Sequence, residues 1–247
     1  MAEPSTDLRT MSKRPSAGPP ERRRAWDRRL RSAPALHLPA RRTVVVVPHP
    51  DDEALSSGGL IMHQMGRGVP VVAVAVTDGE AAFTTWPEPG LAATRREEQR
   101  TALSILGVAV AATVRLGLPD GALAAHGETL VELLLAIVQP GDVVVAPWAH
   151  DLHPDHVACG QAAQLVASTH RCALLGSMFW ALHQIDPRDH PGIGFATLVL
   201  TDDECLWRQE ALHSHASQFD QGTHAPILDE SLLDPLRLPI ERYVVAS

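Results

Sequence analysis

No run of 18 apolar residues occurs in the 247-residue chain, so a membrane-spanning helix is not expected. The N-terminus is polar and lacks the apolar core of a secretory signal, and no internal repeat is present. Cysteine is scarce. Cys159, Cys172 and Cys205 stand at unrelated spacings, which argues against a disulfide framework or a zinc ribbon and fits a reducing, cytoplasmic setting. Basic residues are also few where nucleic acid would need them. Residues 43–247 hold ten Arg/Lys against twenty-five Asp/Glu, a balance of −15, and phosphate neutralisation requires clustered positive charge. Residues 1–42 have the opposite bias, eleven Arg/Lys against four Asp/Glu, or +7; together the two parts give the net −8.

Apolar content of 45% and charged content of 20% are those of an ordinary globular protein, and the length suffices for one large α/β domain. The expected division is a basic, Pro/Ser/Arg-rich and largely disordered leader over residues 1–42, with a short helix at Pro20–Arg31, followed by a single domain over 43–247. Strand patterns fall at residues 43–47, 69–76, 109–115, 143–146, 173–180 and 195–200. Helical patterns fall at 58–65, 91–106, 128–138, 156–170 and 202–214, and the end is Pro-rich. Such alternation with short links specifies an α/β fold, a mostly parallel sheet with helices on both faces.

Two segments concentrate chemistry. Val44–Val47 is a buried-strand run that Pro48 stops, and His49-Pro50-Asp51-Asp52-Glu53 follows at once. One imidazole and three carboxylates in five residues need a cation or solvent to balance them. A hundred residues on, Val143–Ala146 ends at Pro147 and leads into His150-Asp151-Leu152-His153-Pro154-Asp155-His156. If the two strands are neighbours, His49, Asp52 and His156 converge as a two-His, one-carboxylate metal site with a position left for water. His-x-x-Asp alone is a weak signal, as common in helix caps and surface ion pairs; the strand before it gives it weight. Asp51 is either the general base for a metal-activated water or the N-cap of the next helix. Glu53 is either an outer support of the metal loop or another cap. His153 points at the substrate as an oxyanion stabiliser or acid, with Asp155 orienting it and raising its pKa. His150 and Asp151 read as solvent-facing.

These residues resemble the PIG-L / LmbE-like zinc-dependent N-acetylglucosaminyl deacetylases. That family's Ala/Pro-His-Pro-Asp-Asp-Glu signature is matched at 48–53 and its His-Pro-Asp-His signature at 153–156. Softer matches are Val-Thr-Asp-Gly-Glu at 76–80, Arg-Arg-Glu-Glu at 95–98, Leu-Pro-Asp-Gly at 118–121, and a His-x-Ser-Gln ending within 211–218. The resemblance covers roughly residues 43–220 and implies a Rossmann-like sheet holding Zn2+ through His49, Asp52 and His156, with Fe2+ an alternative for the same donors. It implies Asp51 as general base and His153 as the electrophilic, acid-assisting histidine. It also implies substrate contacts at Arg95, with pocket roles for Asp78, Glu80 and His215. A turn-forming Asp-Gly is the plainer account of Asp78, and a solvent-facing helix-end histidine remains open for His215.

The expected activity is a metal-dependent hydrolase that removes the N-acetyl group from a small-molecule amino-sugar substrate. No nucleophile elbow surrounds Ser56 or Ser57, so no covalent intermediate is required. An amidase of the same fold that cleaves a larger acyl or thiol-conjugate amide is the nearest rival. A nucleotide-binding Rossmann-like protein is disfavoured, because carboxylates occupy the turn that would need Gly-x-Gly-x-x-Gly and would repel a pyrophosphate. A non-catalytic metal-binding protein would need neither Asp51 nor His153.

Overall fold

A run of four valines can be buried on both faces only at the centre of a sheet, and β1 (Thr43–Val47) is buried along its whole length. The computed structural model describes residues 20–82, 89–219 and 226–245. The other strands are β2 (Val71–Ala75), β3 (Thr113–Arg115), β4 (Val143–Pro147), β5 (Ala173–Ser177), β6 (Gly194–Val199) and β7 (Ile240–Val245). These described strands form one seven-stranded sheet in the order β3-β2-β1-β4-β5-β7-β6. Neighbours from β3 to β5 run parallel, and only β7 runs against its neighbours β5 and β6. The mostly parallel α/β architecture expected from the alternation is therefore present.

The helices are α1 (Pro20–Arg31), α2 (Asp52–Ser56), α3 (Gly58–Gly66), α4 (Leu91–Ile105), α5 (Gly127–Ile137), α6 (Pro154–His170), α7 (Trp180–Gln184), α8 (Asp202–His213), α9 (Ala216–Phe219) and α10 (Glu230–Leu233). Successive strand residues point to opposite faces. Val45, Val47, Val143 and Val145 accordingly pack with Leu60 and Ile61 of α3, Leu103 of α4 and Leu212 of α8. Val44, Val46, Val144 and Ala146 face the other way, onto Leu130 and Leu134 of α5 and Ala163 and Val166 of α6. Arg42 forks onto Asp142 (Nη2–Oδ2 2.8 Å, Nε–Oδ1 3.1 Å) and ties the start of β1 to the start of β4. Among the described residues no helix is long and apolar enough to cross a membrane.

Three local differences have physical reasons. The expected third strand begins late, because Val110–Ala112 forms a tight helical turn before β3. The fifth strand stops at Ser177 and Trp180 opens α7 instead of closing the strand. β7 was hidden in a Pro-rich end, since Glu241 and Arg242 interrupt its apolar pattern. Both are buried, and Glu241 accepts from the first amides of α3, Gly59 N (2.6 Å) and Leu60 N (2.8 Å), and from Tyr243 Oη (2.8 Å).

The short helix expected at Pro20–Arg31 forms, but residues 20–42 are not free of the domain. Trp26 is buried, donates its indole N–H to Ile185 O (2.9 Å) and meets Phe195 edge-on. Leu36 N donates to Thr197 O (2.8 Å), and Thr197 N to Pro34 O (3.0 Å), at the β6 edge. Arg29 is engaged by the carbonyls of Pro187, Pro191 and Ile193. Residues 1–19 lie outside the described residues.

α6 crosses the end of β4 at a glycine. A Cβ at Gly160 would stand 2.5 Å from Pro147 O and 2.7 Å from Ala149 N. Gly160→Ala is expected to destabilise the fold by about 1–3 kcal/mol, the usual cost of overpacking. An unchanged denaturant midpoint would contradict this close approach.

Candidate functional site

β1 and β4 lie side by side in parallel register, Thr43 opposite Val143 and Val45 opposite Val145. On one side the order runs to β2 and β3, on the other to β5. Open α/β sheets place their ligand crevice at such a reversal, beyond the carboxyl ends of the strands. The loops after Val47 and after Pro147 therefore face one another across one crevice.

Asp52 opens α2 and His156 sits in the first turn of α6, so two helix starts deliver the donors. Asp52 Oδ2 lies 3.2 Å from His49 Nδ1 and 3.2 Å from His156 Nε2. Donor atoms about 2.0–2.1 Å from a tetrahedral zinc ion stand roughly 3.3 Å apart, so each of these two separations suits a pair of ligands on one such ion. His156 Nε2 is buried and has no hydrogen-bond partner, although it aims at the same carboxylate. An orphaned imidazole nitrogen of this kind fits a metal donor. A ring nitrogen from each of His49, His153 and His156 also lies within 4.8 Å of the others, as do a His49 nitrogen and carboxylate oxygens of Asp120 and Asp155.

The opposite edge of each imidazole is backed by carboxylate. His49 Nε2 lies 3.2 Å from Asp155 Oδ2 and 3.2 Å from Asp120 Oδ1. His156 Nδ1 faces Asp151 Oδ2 at 3.8 Å, too long for a hydrogen bond but an attractive charge. Metal-binding histidines commonly carry this support, which fixes the tautomer and raises basicity. Burial works to lower the pKa of His49, but hydrogen bonds to Asp120, Asp155 and Asp52 take it well above the ordinary value. Burial likewise lowers that of His156, and Asp52 and Asp151 more than reverse it, to about 9. Burial tends to raise the Asp52 pKa, yet His156 and His49 hold it well below the usual carboxylate range. The cluster thus favours positive charge, which a divalent cation supplies while leaving both imidazoles neutral.

Asp51 stands beside these donors with a backbone rarely adopted by an L residue, φ 129°. Its side chain makes no capping bond to α2. Burial raises its pKa to about 7, against the lowering effect of Arg95. A bound cation would pull it back down and leave it an ionised proton acceptor at neutral pH.

His153 is the N-cap of α6, and its Nδ1 accepts from Asp155 N (3.3 Å). A backbone N–H can only donate, so the ring proton sits on Nε2. Burial, then the neighbouring His49 and His156, lowers its pKa to about 4. Asp155 does push the pKa up, as expected, but burial and the two neighbouring imidazoles outweigh it. The Asp155 carboxylate turns away from His153 to His49 and to the amides of Gly121 (2.7 Å) and Leu123 (3.1 Å).

The family model described as PIG-L, GlcNAc-PI de-N-acetylase, matches residues 44–167. The chain belongs to this family. A diacetylchitobiose deacetylase of Thermococcus kodakarensis is 33% identical over 126 residues, 49% of this chain and 46% of that protein. The chain thus spans about half the length of that relative. A protein of Bacillus anthracis described as a probable N-acetyl-alpha-D-glucosaminyl L-malate deacetylase 2 is 30% identical over 196 residues, 72% of this chain and 82% of its own. Among solved structures, N,N'-diacetylchitobiose deacetylase from Pyrococcus horikoshii is 26% identical with a TM-score of 0.52, covering 72% of this chain and 71% of that one. A teicoplanin deacetylase in its zinc-inhibited form shares the fold alone, at 16% identity and TM-score 0.62 over 82% of this chain and 97% of its own.

In this PIG-L chain several residues sit elsewhere than the sequence suggested. Arg95, expected at the substrate, is buried and donates to Gly79 O (2.8 Å) and Pro50 O (2.5 Å), with Asp51 Oδ2 at 3.3 Å. It braces the Asp51 carboxylate. The close approach leaves no room at Gly79, where a Cβ would fall 2.2 Å from the guanidinium. Asp78 pairs with Arg96 (2.7 Å) and Arg115 (3.0 Å), and Glu80 accepts from Asp120 N (3.0 Å), so both are engaged by the chain itself. His215 is fully buried against Glu53 (2.8 Å), which overturns the solvent-facing alternative. Asp151, read as solvent-facing, is buried behind His156. Asp120 joins the site beside His49 Nε2, a role that its Leu-Pro-Asp-Gly segment does not by itself reveal. Residues 83–88 lie outside the described residues.

Proposed function

We propose that this chain is a metal-dependent hydrolase that removes the acetyl group from an N-acetylated amino sugar. The observation that carries the reading is the meeting of three donors from two loops, with Asp52 Oδ2 3.2 Å from both His49 Nδ1 and His156 Nε2. The deacetylase names of its relatives support the reaction class. His49, Asp52 and His156 would hold the ion; when bound, it supplies Lewis acidity at the amide carbonyl and lowers the pKa of the attacking water. Zn2+ suits two imidazoles and a carboxylate, and Fe2+ suits them too.

The chain's own groups do the rest. Asp51, buried and braced by Arg95, takes a proton from the attacking water as general base. His153, neutral with its proton on Nε2, donates a hydrogen bond to the oxygen that becomes negative in the tetrahedral transition state. Asp51 then returns its proton to the departing nitrogen, and acetate and a free amine result. Burial of Asp51, Asp52 and Asp155 keeps bulk water from competing for these contacts.

The test is acetate and amine release from N-acetylglucosamine-type glycosides, with and without a chelator. Metal-dependent release of both products is expected. Release of a bulky acid from longer N-acyl substrates, with none of acetate, would overturn the acetyl assignment in favour of a larger-acyl amidase. His153→Ala is expected to lower kcat by about 10²–10³, the usual cost of losing one oxyanion donor. Turnover unchanged in that variant would remove His153 from the chemistry.

A further inference from the structure

We propose that His215 is a positioning residue for Asp51, acting through Glu53. This rests on the reading of Asp51 as the base. His215 lies at the junction of α8 and α9, remote in sequence from the metal loop, and is 0% exposed. Its Nε2 is 2.8 Å from Glu53 Oε1. Glu53 is equally buried, and its other oxygen, Oε2, accepts from Asp51 N (3.3 Å) and from Gln99 Nε2 (3.2 Å). One buried carboxylate therefore joins three groups: an imidazole on one side, an α4 amide on another, and the backbone N–H of the residue read as the base.

The state of that backbone gives the contact its purpose. Asp51 sits at φ 129°, a conformation that persists only where the surroundings over-determine it. Arg95 holds its carboxylate and Glu53 holds its amide, so the residue is pinned at both ends. Glu53 can keep its orientation only if its far oxygen is occupied, because an unpaired buried carboxylate oxygen would draw the side chain toward another donor. His215 fills that role. A histidine that merely packed α8 and α9 onto the core would need no donor at this point, and an aromatic ring of similar size would replace it.

The test compares His215→Gln, whose amide nitrogen replaces the Nε2 donor, with His215→Phe, which keeps the ring and loses the donor. In the metal-loaded protein, His215→Phe is expected to lower kcat by about 10–100-fold, the usual loss when an outer support of a metal site is removed. KM and bound metal should stay unchanged. Gln should retain most of the turnover. Hydrogen exchange over residues 49–56 should quicken with Phe and not with Gln. If His215→Phe does not fold, His215→Asn, whose amide stops short of Glu53, takes its place with the same expected loss. A Phe variant with full turnover and full protection would overturn the proposal, as would Gln and Phe losing activity equally. If the unmodified chain releases no acetate while the exchange pattern is as expected, the functional reading fails and the clamp on the Asp51 loop stands.

Discussion

Asp51→Asn is expected to abolish nearly all amide hydrolysis while leaving bound metal in place. The substitution keeps volume and the contact with Arg95 Nη2, which lies 3.3 Å from Asp51 Oδ2. It removes only the ability to take a proton. General-base assistance is worth about 10²–10⁴ in rate, and kcat should fall within that range. Metal content should not follow, because the convergent donors belong to His49, Asp52 and His156 and not to Asp51. Paired measurement of turnover and of metal per chain decides the matter. Normal turnover would remove Asp51 as base, and loss of metal would make it a ligand.

His156→Ala should act in the opposite way, through the ion. The imidazole is buried at the start of α6, and its Nε2, which makes no hydrogen bond, faces Asp52 Oδ2 at 3.2 Å. Its removal leaves Asp52 and His49 as a two-donor site, below the three protein ligands that open zinc centres carry. The loss of metal affinity should exceed the about 10–100-fold that removal of an outer partner costs. Asp120→Asn, which weakens the support behind His49 Nε2 and leaves an oxygen to accept from Ala81 N, provides that comparison within the same site. Metal per chain after dialysis should be near zero for His156→Ala and intermediate for Asp120→Asn. Full occupancy in His156→Ala would contradict its role as ligand.

Much of this site was legible because it is written in contiguous sequence. Val44–Val47 and Val143–Ala146 read as buried strands, and the charged clusters that follow them could be set facing each other once the strands were neighbours. What was not legible depends on direction. Arg95 and Arg96 are adjacent, and only the turn of α4 shows that Arg95 points inward to Asp51 while Arg96 reaches Asp78. Asp155 directly precedes His156, yet its carboxylate serves His49, a hundred residues away, while its backbone serves His153. Charged residues at buried positions misled twice: Asp151 read as solvent-facing, and Glu241 and Arg242 hid β7. In both places a specific partner, not composition, makes burial tolerable. The leader misled for the same reason. Its composition reads as a largely disordered segment, whereas Arg29 is engaged by three backbone carbonyls.

The central claim is that loops from β1 and β4 grip one divalent ion. Anomalous diffraction at the zinc and iron edges from crystals of metal-saturated protein tests it most directly. A single peak should lie about 2.0–2.2 Å from His49 Nδ1, an Asp52 carboxylate oxygen and His156 Nε2. A peak held by other side chains, or none at saturating metal, would contradict the account.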